Sequence, residues 1–392
     1  MSYRKFKADY LFDGFKMLSG EQVLVCEKNG TIEAILDEKE AGGDIEILSG
    51  ILSPGFVNCH CHLELSHLKG LIPEKQGLVD FVFSVVRERF VSEEIIRAAM
   101  AAAESEMRTG GIVAVGDICN TGDTLELKSG NRLAYYHFIE LAGWLPELAI
   151  PRFENGKKLY HLFKEICRDE KHVSLNPHAP YSVSENLWQY LEDGFPEKTV
   201  TIHSQETEGE NEFFISGEGD LNRMYALMKM DSSHYKIPGT RSVPYYLPKL
   251  KSAKNLLLVH NTYMPKEDID LAKQFSENLF FCFCPNANLY IENRLPDIPS
   301  FIKQEVNGVL GTDSLASNHQ LSILEEMKTI KKVFPSTPTP LLLKWATSNG
   351  AKALQFEDQL GDFTKSKKPG IVLIENCDGR EIGSGTVCGR LL

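Results

Sequence analysis

Pro54-Gly-Phe-Val-Asn-Cys-His-Cys-His62 is an apolar run that ends in two histidines one residue apart. In an extended chain, side chains two residues apart point the same way. His60 and His62 therefore face one side and Cys59 and Cys61 the other, so the two imidazoles can reach one ion. Comparable β-rich runs recur at Gly111-Ile-Val-Ala-Val-Gly, Leu133-Ala-Tyr-Tyr-His-Phe, Val173-Ser-Leu-Asn, Thr199-Val-Thr-Ile, Asn255-Leu-Leu-Leu-Val, Leu279-Phe-Phe-Cys-Phe and Gly308-Val-Leu-Gly. With Gly55-Phe-Val-Asn they make eight candidate strands. Helix-period segments, among them Glu93 to Arg108, Ser184 to Asp193, Lys266 to Glu277 and Leu321 to Val333, separate most of them. Strand-then-helix alternation on this scale predicts an α/β fold, a (β/α)8 TIM-type barrel.

Such a barrel gathers its chemistry at the carboxyl ends of its strands. There the sequence places His60 and His62, then His203 with Glu206 three residues on, then His260, then Asp313. A lone His-x-His is often ordinary core packing. Partners arriving in order on later strands make it a ligand pair. Imidazole nitrogens and a carboxylate oxygen suit zinc or ferrous iron, and a catalytic site keeps one position open for water. Such an ion makes water nucleophilic near neutral pH, and the water still needs a proton acceptor. Glu206 lies where it could serve, although Glu208, Glu210 and Glu212 follow and would also fit a solvated acidic loop.

Outside the strand series, Lys5 to about Glu46 alternates short runs such as Gln22-Val-Leu-Val-Cys-Glu and Thr31-Ile-Glu-Ala-Ile-Leu with Asn29-Gly30 and Gly42-Gly43 turns, the pattern of antiparallel hairpins. Gly370-Ile-Val-Leu-Ile-Glu and Gly385-Thr-Val-Cys-Gly at the other end read the same way. The expected organisation is a small β-sandwich from residues 1–53 and 365–392 around a barrel at 54–364. Two intervals are long, 63–110 and 207–253, and each follows a strand that carries site residues. They read as lids over the mouth or as a subunit interface.

Composition narrows the function classes. With 392 residues, 42% of them hydrophobic, the chain can bury a large core and a smaller one. A formal charge of -12, without a basic run, disfavours nucleic-acid binding and suits a small substrate. No apolar h-region follows the charged start and no eighteen-residue apolar stretch occurs, so a cytoplasmic protein with no membrane partner is expected. Nine cysteines, most inside apolar runs, read as reduced core thiols. A second zinc-site design, His-x-Glu followed by Pro-Cys-x-x-Cys on a helix, is absent.

Pro54 to His62, His203-Ser-Gln-Glu206, Leu258-Val-His-Asn261 and Gly311-Thr-Asp-Ser314 together resemble the amidohydrolase superfamily, in particular its cytosine deaminase and chlorohydrolase branch. The resemblance covers essentially the whole chain. One departure is Lys368-Pro-Gly370, where the family has a Gly-Lys-x-Ala-Asp run. Binuclear members carry a bridging lysine after the fourth strand. Here that strand ends Asn176-Pro-His178, without one. The resemblance thus implies a single divalent ion, zinc ahead of ferrous iron, held by His60, His62, His203 and Asp313. It also implies catalytic roles for Glu206 as proton shuttle, for His260 as partner of the attacking water or the attacked group, and for Asp313. His178 would contact substrate, or else anchor its Pro-rich turn. Glu64 would bind a sugar hydroxyl or ring N-H, or else cap locally. Asn288, in Cys284-Pro-Asn-Ala-Asn288, would order the rim.

The activity implied is hydrolytic deamination, with ammonia release, of an amino-substituted heteroaromatic base or an adenine-like nucleoside. His62-Leu-Glu-Leu-Ser66 followed by Asp80-Phe-Val-Phe-Ser-Val-Val is most similar to members acting on aminodeoxyfutalosine. The alternative is hydrolysis of a cyclic amide or imidazolone ring by the same metal-activated water. A silent scaffold would have lost a ligand or Glu206, and none is lost. Family members often pair, so a homodimer is the expected assembly.

Overall fold

The computed structural model describes residues 3–392. Eight strands run parallel to their neighbours: β1 (Phe56–Cys61), β2 (Ile112–Cys119), β3 (Ala134–Leu141), β4 (Val173–Pro177), β5 (Thr199–Ser204), β6 (Asn255–His260), β7 (Leu279–Phe283) and β8 (Gly308–Leu310). They form two four-stranded ladders, β4-β3-β2-β1 and β5-β6-β7-β8. Every residue of β1, β2 and β4 to β8 is buried, as continuous Val/Ile/Leu/Phe runs require when both faces of a parallel sheet are covered.

The ladders meet at both edges. At one, the amides of Thr312 and Asp313 both donate to the carbonyl of His60 at 3.0 Å. Asn58 and Thr312 exchange two further hydrogen bonds there, of 2.7 and 3.1 Å. At the other, the amide of His203 donates to the carbonyl of His178 at 2.9 Å. Gly311 permits the first approach, since a Cβ on it would lie 2.8 Å from Cβ of His60. One apolar cluster, including Val57, Cys59, Tyr136, Phe138, Leu257, Val259 and Phe280, joins strands of both ladders. A larger one joins the strands to the helices.

Strict alternation fails in β1. Cys59 packs in the cluster between the ladders and Cys61 in the helix-facing cluster. The reason is a register shift against β2 between Asn58 and Cys61, which turns the end of the strand. All nine cysteines are free thiols.

Both chain ends build two further sheets. A five-stranded sheet orders Val387–Arg390, Ile371–Glu375, Ile51–Pro54, Tyr10–Phe12 and Met17–Leu18. A four-stranded one orders Ile32–Asp37, Gln22–Glu27, Tyr3–Lys7 and Glu46–Ile47. Hairpin pairing holds for Gln22–Glu27 with Ile32–Asp37, but Tyr3–Lys7 pairs parallel with Glu46–Ile47, and Tyr10–Phe12 with Ile51–Pro54. Ile51–Pro54, which leads directly into β1, pairs antiparallel with Ile371–Glu375.

The long intervals fold over the carboxyl ends of the strands. Leu78–Glu88 from the first and Glu208–Ser216 and Leu221–Leu227 from the second share an apolar cluster around Phe81, Trp144, Phe213 and Tyr225. Arg223 clamps Asp80 through two bonds of 2.8 and 2.9 Å and so ties the two intervals together. Among the described residues, no helix is long and apolar enough to cross a membrane.

Candidate metal centre and active site

The strand ends bring His60, His62, His203, His260 and Asp313 together. Nε2 of His60 lies 3.2 Å from Nε2 of His62. Oδ1 of Asp313 is 3.6 Å from the former nitrogen and 3.4 Å from the latter. His60, His62 and His203 each offer a ligand atom within 4.8 Å of the others, as do His60, His260 and Asp313. Donors at about 2.0–2.1 Å from a tetrahedral zinc stand roughly 3.3 Å apart. The three measured edges bracket that spacing, so the donor set fits one small divalent ion.

Electrostatics agree with the geometry. Burial favours the neutral ring at His62, taken down to about 3, and at His203 and His260, which leaves their lone pairs free to coordinate. Burial works against an ionised Asp313, but the surrounding imidazoles outweigh it and hold the carboxyl well below its ordinary range.

Each ring or carboxylate is fixed from behind. His203 Nδ1 lies 2.8 Å from the carbonyl of His178, and His260 Nδ1 lies 2.8 Å from Oδ1 of Asn288. Ser317 Oγ donates to Oδ2 of Asp313 at 2.5 Å. These contacts set tautomer and ring orientation, as outer partners do in metal sites. Backbone strain gathers at the same place: Gln205, His260, Asn261 and Asp313 have φ of 45°, 71°, 56° and 56°. Non-glycine residues in this region cost on the order of 1–3 kcal/mol each and persist where the surroundings enforce them.

Glu206 reaches the same space, its Oε1 3.6 Å from Nε2 of His260. Burial, then the charges of Asp313, Glu292 and Glu140, raise its carboxyl well above the usual range. Glu208, its sequence neighbour, starts the helix Glu208–Ser216 instead. The cavity above has a volume of about 700 Å³, and His62, Glu64, Glu140, His178, His203, Glu206, His260 and Asp313 line it. That is the size of a small-molecule site.

The two expected substrate contacts both border this cavity. His178 has its Nδ1 2.7 Å from Ser182 Oγ, so the turn anchor is real while the ring still borders the cavity. Glu64 accepts from the amides of Asn120 and Thr121, at 3.1 Å each, and from the Thr121 hydroxyl at 2.9 Å. Its local bonds are therefore extensive. Asn288 orients His260, which goes beyond ordering the rim.

Sequence reasoning missed Glu140, Asn120, Ser317 and the buried pair of Asp117 and Lys128. Glu140 sits near the end of β3 with burial raising its carboxyl to about 7. Asp117 accepts from the amide of Leu63 at 2.8 Å and meets Nζ of Lys128 at 2.5 Å. Only Ser317 left a trace, in the short spacing of Asp313-Ser-Leu-Ala-Ser317.

The profile of the amidohydrolase family matches residues 51–390. The chain belongs to the amidohydrolase family. This amidohydrolase is 26% identical over 370 residues to the 5'-deoxyadenosine deaminase of Methanococcus vannielii, covering 87% of this chain and 81% of that one. It is 28% identical over 322 residues to the aminodeoxyfutalosine deaminase of Deinococcus radiodurans, covering 79% and 74%. In fold it resembles the Helicobacter pylori aminofutalosine deaminase crystallised with methylthio-coformycin, with a TM-score of 0.82, 20% identity, and coverage of 96% and 94%.

Proposed function

We propose that this amidohydrolase hydrolytically deaminates an adenine-like nucleoside and releases ammonia, with aminodeoxyfutalosine as the finer candidate. The observation that carries the reading is the convergence of two buried imidazole nitrogens 3.2 Å apart with the Asp313 carboxylate, inside a cavity that Glu206 also lines. The names of its relatives, deaminases of adenine nucleosides, support it.

His60, His62, His203 and Asp313 are the residues that would hold the ion, zinc ahead of ferrous iron. When bound, the ion supplies Lewis acidity that makes a water nucleophilic near neutral pH. Glu206 takes a proton from the water as its oxygen bonds to the amino-bearing ring carbon. The same carboxyl delivers that proton to the adjacent ring nitrogen. It then carries the water's second proton to the departing amine as the carbon–nitrogen bond breaks. His260, aimed by Asn288, holds Nε2 toward Glu206 and the reacting centre. Ser317 keeps Asp313 oriented. His178 and Glu64 are the substrate contacts.

On the same reading, the two ladders close into a (β/α)8 barrel over 54–364, and residues 1–53 and 365–392 form the β-sandwich domain. The hydrogen bonds at both ladder edges and the pairing of Ile51–Pro54 with Ile371–Glu375 support this division. A cytoplasmic homodimer is the proposed setting.

The test is ammonia release from 5'-deoxyadenosine, aminodeoxyfutalosine, guanine, cytosine and pterins, using protein stripped of metal and reloaded separately with zinc and ferrous iron. Release confined to the adenine nucleosides is expected. Cleavage of cyclic amides with no ammonia from any of the panel would overturn the proposal in favour of ring hydrolysis.

A further inference from the structure

Tyr136, Phe138 and Glu140 alternate along β3. The first two point into the apolar cluster between the ladders, so Glu140 tops that column and borders the catalytic cavity. Its side chain is only 6% exposed. Oε2 accepts from Nδ2 of Asn120 at 2.9 Å. Among the described residues Oε1 has no such hydrogen bond: Nδ1 of His203 stands 3.7 Å away and is engaged at 2.8 Å with the carbonyl of His178. A buried carboxylate with one oxygen left facing a cavity is costly unless a ligand brings a donor to it.

The second carboxylate is close by. Asn120 donates its backbone amide to Oε1 of Glu64 at 3.1 Å and its side-chain amide to Glu140. One residue thus holds two acidic side chains at the same wall of the cavity. Arg89, with Nη2 3.8 Å from Oε1 of Glu64, already supplies a cation there, so the missing complement is a neutral donor rather than a second cation. A ligand with two adjacent hydroxyls meets that demand, and carboxylates are established acceptors for ribose hydroxyls in nucleotide sites.

We propose that Glu140 is a further substrate-contacting residue, which together with Glu64 accepts hydrogen bonds from the vicinal hydroxyls of the sugar and so makes the site selective for ribonucleosides. The assignment rests on the adenine-nucleoside reading above. It places the sugar beside β1 to β3 and leaves the base over the metal ligands.

Glu140→Gln keeps an oxygen for Asn120 and turns an amide N-H₂ toward the cavity, where a hydroxyl donor would meet another donor. The experiment compares wild type, Glu140→Gln and Glu64→Gln on 5'-deoxyadenosine and on its 2'-deoxy and 3'-deoxy derivatives. Melting temperature and metal content serve as controls for folding. Product affinity is measured by calorimetry with 5'-deoxyinosine and its 2'-deoxy derivative, which needs no turnover. A hydrogen bond to a charged group is worth about a 10- to 100-fold effect. Glu140→Gln should therefore raise KM, and weaken product binding, by roughly that factor for the diol compounds. It should have little effect on kcat, and little on whichever of the two deoxy compounds lacks the hydroxyl that Glu140 accepts. Equal loss on diol and deoxy compounds, or no loss on either, overturns the clamp while leaving the deaminase reading intact. Wild-type protein that neither deaminates nor binds any adenine nucleoside overturns both.

Discussion

Lys128→Met tests how the turn that carries His62 and Glu64 is held. Asp117 and Lys128 are wholly buried, with side chains 0% exposed, and meet at 2.5 Å. Lys128 also donates to Sγ of Cys119 at 3.2 Å and lies over the rings of Tyr135 and Phe163, so no water can replace it. The substitution keeps volume and apolar contact but leaves the Asp117 carboxylate with the Leu63 amide as its main partner. Removing one member of a buried pair costs about 3–5 kcal/mol, because the remaining charge is uncompensated. Asp117→Asn/Lys128→Met removes that charge and retains an oxygen for Leu63, so it should recover at least about 1 kcal/mol of the loss. Urea unfolding followed by the fluorescence of the three tryptophans measures both effects. A loss under about 1 kcal/mol, the scale of a solvent-exposed pair, would refute the assignment of this pair as the anchor of the turn.

Glu206→Gln should lower kcat by about 10²- to 10⁴-fold while metal content stays at the wild-type level. Undiminished turnover would remove Glu206 from proton transfer. Chelation should lower the melting temperature: an ion at 100 times its Kd contributes about 2.7 kcal/mol, restored by adding zinc back. An unchanged melting temperature in chelator would argue against an ion bound in the folded state. Burial raises Glu210 to about 8, against the opposing hydrogen bonds from the Ser242 side chain and the Gln205 amide. The folded chain keeps this proton where the unfolded chain, near pH 4.5, has lost it, so stability falls as pH rises between those values, by about 1.4 kcal/mol per unit. Glu210→Gln should flatten that part of the curve, and parallel melting profiles for the two proteins would show that Glu210 does not titrate there.

What the sequence made legible follows from what repeats in it. Eight apolar runs at regular intervals name eight strands, and a ligand standing just past a strand end is readable because strand and ligand are adjacent in the chain. Glu64 could be singled out for the same reason, three residues after Cys61. Glu140 could not. In His137-Phe-Ile-Glu-Leu141 an acidic residue looks like the solvent-facing partner of strand alternation, and only the parallel neighbours β2 and β4 turn that face inward. Lys128 misleads in the same way, since Leu125-Glu-Leu-Lys-Ser129 reads as a surface helix with a charged face. Its reason for being buried, Asp117, lies on β2, and the amide that Asp117 fixes belongs to Leu63, past the end of β1. A polar residue buried against a local partner leaves a spacing to recognise, as Ser317 does with Asp313. One buried against partners 50 or more residues away, as Asp117 is against Leu63, leaves none, because the fold rather than the chain brings them together. The residues that position a site are therefore harder to find in the sequence than those that form it.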